Sequence, residues 1–177
     1  MLVVGDRVGL ARRLGRATAL PAFREGTWEG IVHAAALEPG IAAREVLGSA
    51  LALVQALQAR QGPLPRLAFV TRGAVAVRAG DAPDPDQACL RGFVRSLPLE
   101  DPRFAPVAVD LDPERPLEEG LADLVAELLG PRGEDQVAFR GGARFVARWA
   151  PLAPPEAHPL PVRPDRTYVV VGGTGGL

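Results

Sequence analysis

Four short apolar runs alternate with stretches of helical periodicity, and this alternation limits the fold more than any other feature of the chain. The runs are Leu2-Val3-Val4, Gly30-Ile31-Val32-His33-Ala34-Ala35, Leu67-Ala68-Phe69-Val70-Thr71 and Val107-Ala108-Val109-Asp110-Leu111. Each is too short for a buried helix and rich in β-branched residues, as a buried strand requires. Connections this long, with helical patterns inside them, cannot be hairpins; they are crossovers that return the chain to the same end of a sheet. The expected class is therefore α/β, with a mostly parallel sheet flanked by helices.

The connecting helices are legible one by one. Residues 10–16 place Leu10 and Leu14 four apart. Residues 41–60 carry Val46, Leu47, Ala50, Leu51, Leu53, Val54 and Leu57 over more than half the helix circumference, which predicts burial against the sheet and against a second surface. Gly62-Pro63 stops that helix. Asp86 is expected to cap a helix over 87–96. Pro116, with the acidic Glu118 and Glu119 behind it, opens the helix that Gly130-Pro131 closes. Residues 136–140 and 143–149, joined by Gly141-Gly142, predict a β-hairpin, with Arg144 and Arg148 on a solvated face of its second arm. Prolines at 151, 154, 155, 159, 161 and 164 then mark a semi-rigid connector. The division expected is 1–149 as one domain, 150–166 as connector and 167–177 as the start of another unit.

Composition narrows the chemistry. A net charge of −1 gives no pull toward nucleic acid or an anionic membrane, and no apolar run has the length of a membrane span. All 20 basic residues are arginine; without lysine there is no Walker loop. Cys89 cannot form an internal disulfide, and with only His33 and His158 beside it no metal cluster can be assembled. The expectation is a soluble, cytoplasmic protein without a metal and without catalytic residues of its own. Cys89 reads as a small hydrophobe, His33 as a packed strand-end residue and His158 as solvent-facing.

Two glycine turns suggest nucleotides. After Val4, Gly5 and Gly9 form a strand-turn-helix unit in reduced form, without the G-x-G-x-x-G spacing. Glu25 and Glu29 stand at about the distance at which a ribose-binding acid would follow. At the other end Tyr168-Val169-Val170-Val171 runs into Gly172, Gly173, Gly175 and Gly176, the pattern of a buried strand entering a cofactor loop. Gly172, Gly173 and Gly176 are the candidate cofactor-binding residues, as part of a loop that only a following domain would complete.

These last residues resemble the first strand and T-G-x-x-x-G-x-G loop of short-chain dehydrogenases/reductases, departing from it at Val171, where the family has Thr. A broader resemblance covers nearly the whole chain. It runs through residues 30–37 (Gly-Ile-Val-His-Ala-Ala-Ala-Leu), 65–74 (Pro-Arg-Leu-Ala-Phe-Val-Thr-Arg-Gly-Ala), 88–102, 109–113 (Val-Asp-Leu-Asp-Pro) and 139–148 (Phe-Arg-Gly-Gly-Ala-Arg-Phe-Val-Ala-Arg). In order and spacing these are similar to the structural subdomain of ketoreductases from modular polyketide synthases. The resemblance implies a truncated Rossmann-like fold that binds no nucleotide and braces a catalytic subdomain. That partner would use NADPH to reduce a β-ketoacyl chain on an acyl carrier protein, among neighbouring synthase domains. It leaves open an active or a degenerate parent enzyme. A free-standing nucleotide-dependent reductase and a protein-interaction domain are the alternatives.

Overall fold

The computed structural model describes residues 1–6, 8–14, 17–20, 22–24, 26–131, 133–151 and 161–173. The chain divides into two compact units, Met1–Ala147 and Arg148–Leu177. The first contains β1 (Leu2–Val4), α1 (Leu10–Leu14), β2 (Thr18–Leu20), β3 (Gly30–His33), a 3-10 turn (Ala35–Leu37), α2 (Ala43–Gln58) and β4 (Arg66–Arg72). It continues through α3 (Pro85–Glu100), β5 (Pro106–Leu111), α4 (Leu117–Leu129), β6 (Gln136–Arg140) and β7 (Ala143–Val146).

The seven strands form one sheet in the order β2-β1-β3-β4-β5-β6-β7. Every pairing is parallel except the last, where β7 returns antiparallel to β6 with Val137 opposite Val146 and Arg140 opposite Ala143. This is the mostly parallel, helix-flanked sheet of a Rossmann-like α/β fold.

Period-two alternation within the strands sends side chains to two cores. Leu2, Val4, Ile31, Leu67 and Phe69 pack with Val46, Leu53 and Leu57 of α2 and Leu90, Val94 and Leu97 of α3. Val3, Val32, Ala68, Val70, Val107 and Val109 face the other way, onto Leu10 of α1 and Leu121, Leu124 and Leu128 of α4. The central strands read as continuous apolar runs because both of their faces are covered.

Three local differences from the sequence reading have physical causes. The cap of α3 is Asp84, whose carboxylate accepts from the Asp86 amide at 2.9 Å, and not Asp86 itself. Proline fits the first helical position because no N–H is needed there, so Pro85 lets the helix begin earlier. The helix also runs past Pro98 to Glu100, with Leu97 buried on its inner face. Thr18–Leu20 forms an edge strand missed in the sequence, where it carries no alternation of buried and exposed positions: Thr18 and Ala19 are both exposed.

Candidate functional site

In an open α/β sheet a ligand sits at the carboxyl ends of the strands where the strand order reverses. Here that point lies between β1 and β3, since β2 lies to one side of β1 and β3 to the other. A hollow of about 350 Å3 opens there, lined by Gly5, Asp6, Leu20, Glu38, Glu45 and Ser49 among others. Gly5 has φ +69°, and a Cβ on it would come within 2.9 Å of the Ala35 Cβ. The close approach that its missing side chain permits is thus used by the chain's own 3-10 turn.

Asp6 completes this self-occupation. Its carboxylate accepts from the amides of Leu10 and Ala11, both at 2.8 Å, at the start of α1. Those N–H groups are the ones a helix start offers to a phosphate. A pyrophosphate would have to displace Asp6 and would then face Glu38 and Glu45. The nominated ribose acids do not help. Glu29 is exposed at the amino-terminal end of β3, away from the hollow, and Glu25 lies outside the described residues. The last residue of β2, where such an acid would stand, is Leu20.

A second polar cluster occupies the carboxyl ends of β4, β5 and β6. Asp110 is fully buried and accepts from the Thr71 hydroxyl at 2.6 Å, the Ala74 amide at 2.8 Å and the Arg140 guanidinium at 2.7 Å. Arg140 also donates to the carbonyls of Val75 (2.6 Å), Phe139 (2.7 Å) and Leu111 (3.3 Å). Each group is satisfied by its neighbours, as buried charge must be. The cluster joins three strands and the loop 73–84, and leaves no acid or base poised for a substrate. The sequence alone does not single it out, since Asp110 lies inside one apolar run and Arg140, 30 residues on, ends another.

The single residues weighed for chemistry have structural surroundings. His33 is buried against Phe69, with ring centroids 5.4 Å apart. The Ser49 hydroxyl donates to the Val46 carbonyl at 3.0 Å, which leaves its lone pair to accept from His33 Nε2 at 2.7 Å. His33 Nδ1 finds no partner among the described residues, and burial lowers the imidazole pKa to about 4. The Cys89 thiol donates to the Asp86 carbonyl at 3.0 Å and is held above its usual range, chiefly by burial. Arg144 lies on an exposed arm but is bound at both ends of the Glu127 carboxylate, at 2.6 and 2.9 Å. His158 lies outside the described residues.

In the second unit, residues 167–170 form no strand, and Val169, Val170 and Val171 are 84%, 76% and 94% exposed. A strand needs a neighbour for its N–H and C=O groups; none of the described residues pairs with this run. Gly172 adopts φ +78° and Gly173 follows it in the turn, while Gly176 lies outside the described residues. Among the described residues no cluster could hold a metal, and no helix is long and apolar enough to cross a membrane.

One surface is unusual for a folded domain. On the outer side of α2 and α3, Gly48 and Gly92 sit mid-helix with nothing within 4 Å of the position of a Cβ. Each costs about 0.5–1 kcal/mol relative to alanine, with no close contact at the Cβ position among the described residues to offset it. Leu51, 46% exposed, lies one turn from Gly48, and Leu99, 86% exposed, lies two turns from Gly92.

Residues 4–149 match the family model described as "Polyketide synthase extender module SpnB, Rossmann fold domain". The chain is 40% identical over 149 residues to the erythronolide synthase EryA3 of Saccharopolyspora erythraea, covering 83% of this chain and 4% of that protein. It is 39% identical over 140 residues to a phenolphthiocerol/phthiocerol polyketide synthase polypeptide of Mycobacterium tuberculosis, covering 77% of this chain and 8% of that one. Among solved structures it is similar to a C2-type ketoreductase from a modular polyketide synthase, with a TM-score of 0.63 and 26% identity over 86% of this chain and 42% of the other. Similar too are A-type ketoreductases from a modular polyketide synthase, with a TM-score of 0.60 and 28% identity over 86% of this chain and 39% of theirs. The chain thus spans less than a tenth of the length of these two synthases and under half of either ketoreductase.

Proposed function

The chain belongs to the Rossmann-fold domain family of polyketide synthase extender modules, and from that premise we propose that residues 1–149 are the non-catalytic scaffold half of a ketoreductase. In this reading the domain binds no dinucleotide. It stabilises a catalytic half that uses NADPH to reduce β-ketoacyl chains carried on an acyl carrier protein, within a cytoplasmic multienzyme. Residues 150–166 are the connector, and 167–177 are the first strand and the opening of the cofactor loop of that catalytic half, with Gly172, Gly173 and Gly176 at its phosphate turn.

The observation that carries the reading is Asp6. A carboxylate seated on the amides of Leu10 and Ala11 fills the phosphate position with negative charge, and Glu38 and Glu45 reinforce it. The outer face of α2 and α3 supports the other half of the reading. Helix glycines with open space above them allow another helix to approach closely, and Leu51 and Leu99 offer apolar surface worth about 25 cal/mol per Å2 once covered. The exposed valines 169–171 fit as well, since a following domain would supply the strands they lack.

The test is a titration of the chain with NADPH, followed by fluorescence or calorimetry, beside the same chain joined to a complete catalytic half. The expected result is saturable binding only in the joined protein. Saturable micromolar binding by residues 1–177 alone would refute the scaffold assignment.

A further inference from the structure

We propose that a polar clasp centred on Arg78, Asp112 and Glu127 latches the exit strand β7 to the sheet, so that β7 can open by itself while the parallel strands stay folded. This inference does not depend on the scaffold reading.

Apolar burial holds β7 only weakly. The strand has four residues at the edge of the sheet; Ala143 and Arg144 are exposed, Phe145 and Val146 half-buried. By contrast β5 is buried at all six positions. Beyond its ladder with β6 and the packing of Val146 against the core of Val109 and Val137, what fixes β7 is charge. Arg144 grips the Glu127 carboxylate of α4 with two nitrogens. Asp112 accepts from the Gly141 amide in the turn between the strands. Arg78 donates to the Arg140 carbonyl at 2.8 Å and lays its guanidinium over the Phe145 ring, 5.8 Å from the centroid.

The clasp is pre-positioned by the sheet, not by β7. Arg78 belongs to the loop 73–84, which is tied down by the Ala74 amide on Asp110 and the Val75 carbonyl on Arg140. Asp81 accepts from the amides of Val77 and Arg78 and stabilises the bend that presents Arg78. Burial works to raise the Asp112 pKa, but the amides of Gly141 and Glu114 outweigh it, so the carboxyl lies below its ordinary value and stays charged at the turn. The Arg78 half of the latch is therefore held by bonds in which β7 takes no part.

Opening matters because β7 is the last element of the first unit, and that unit ends at Ala147. With the latch closed, the chain leaves from the sheet edge. With it open, residues 143–147 become tether, adding roughly 17 Å of reach at ~3.3 Å per residue. The latch thus sets how far whatever follows can travel.

Hydrogen exchange followed by mass spectrometry tests this on the whole chain, comparing peptides over 141–149 with peptides over 66–72 and 106–111. Arg78→Ala removes an exposed side chain, and Glu127→Gln removes the ion pair at nearly constant size. Each is expected to raise exchange in β7 by roughly tenfold to a hundredfold while β4 and β5 keep their protection, because local opening is governed by local contacts. Arg78→Lys, keeping the charge and one donor, should fall between. Unchanged protection of β7 in both variants would overturn the latch. So would an equal loss of protection in β4, β5 and β7, which would mean that β7 opens only when the domain unfolds.

Discussion

Arg140→Met is the sharpest test of the claim that the carboxyl end of the sheet is built for stability. Methionine fills much of the arginine stem but withdraws the guanidinium from Asp110 and from the carbonyls of Val75, Phe139 and Leu111. Asp110 would keep the Thr71 hydroxyl and the Ala74 amide but would lose its only salt-bridge partner among the described residues. Removing one member of a buried pair leaves an uncompensated charge and costs about 3–5 kcal/mol. Domains are stable by only about 5–15 kcal/mol, so the variant should fold with a much reduced margin. With an m-value of about 2 kcal/mol per molar in urea, the unfolding midpoint should fall by about 2 M. Replacing Asp110 by Asn in the same chain removes the stranded charge, and the double variant should recover about 1–2 kcal/mol relative to Arg140→Met. Urea unfolding followed by circular dichroism reads both numbers. An Arg140→Met midpoint within about 0.5 M of the parent, or a double variant no more stable than the single one, would refute the argument.

Two further predictions use the same measurements. His33 stays neutral in the fold to about pH 4, whereas in the unfolded chain it takes a proton near pH 6.5. Its contribution is therefore complete above pH 6.5 and is lost as pH falls toward 4, by about 3 kcal/mol in all. The parent should lose more stability across that window than His33→Phe, and parallel pH profiles would exclude the assignment. At Gly48 and Gly92 the Cβ of a leucine has no described atom outside its own helix within 4 Å, and the substitution should raise the stability of the isolated domain by about 0.5–1 kcal/mol per site. The same pair should abolish co-purification with the catalytic half of a ketoreductase; retained pairing would move the docking face elsewhere.

How much of this was legible in the sequence depended on the range of the forces involved. Strands β1, β3, β4 and β5 announce themselves because burial on both faces demands unbroken apolar runs, and α2 and α4 do so because their inner faces repeat at helical spacing. Thr18–Leu20 was missed because an exposed edge strand is fixed by the Met1 carbonyl and the β1 ladder, neither of which marks its own residues. The sequence points to a cap two residues beyond the true one because Asp84 and Asp86 are chemically equal and only the geometry of Pro85 separates them. The Asp110–Arg140 pair has one faint signal, a charge inside one apolar run and a charge at the end of another. Nothing local could join two residues from different strands.

Reading the site required the same distinction. Gly5 and Gly9 say only that the backbone turns; whether a phosphate or a side chain fills the turn depends on where Asp6 and Ala35 arrive. Once they have arrived, three charged groups at that end of the sheet are engaged within the chain: Asp6 with the amides of α1, Asp110 and Arg140 with each other and with the loop 73–84. A side chain so engaged cannot gain a ligand without losing a bond of similar strength. The outer face of α2 and α3 is in the opposite condition. Its two glycines carry a helix penalty with no packing among the described residues to offset it, and Leu51 and Leu99 leave apolar surface in water. Where Asp6, Asp110 and Arg140 are engaged within the chain and one flank retains uncompensated costs, covering that flank is the step that gains free energy. On that balance the proposed scaffold role would draw its free energy from association at the outer face of α2 and α3.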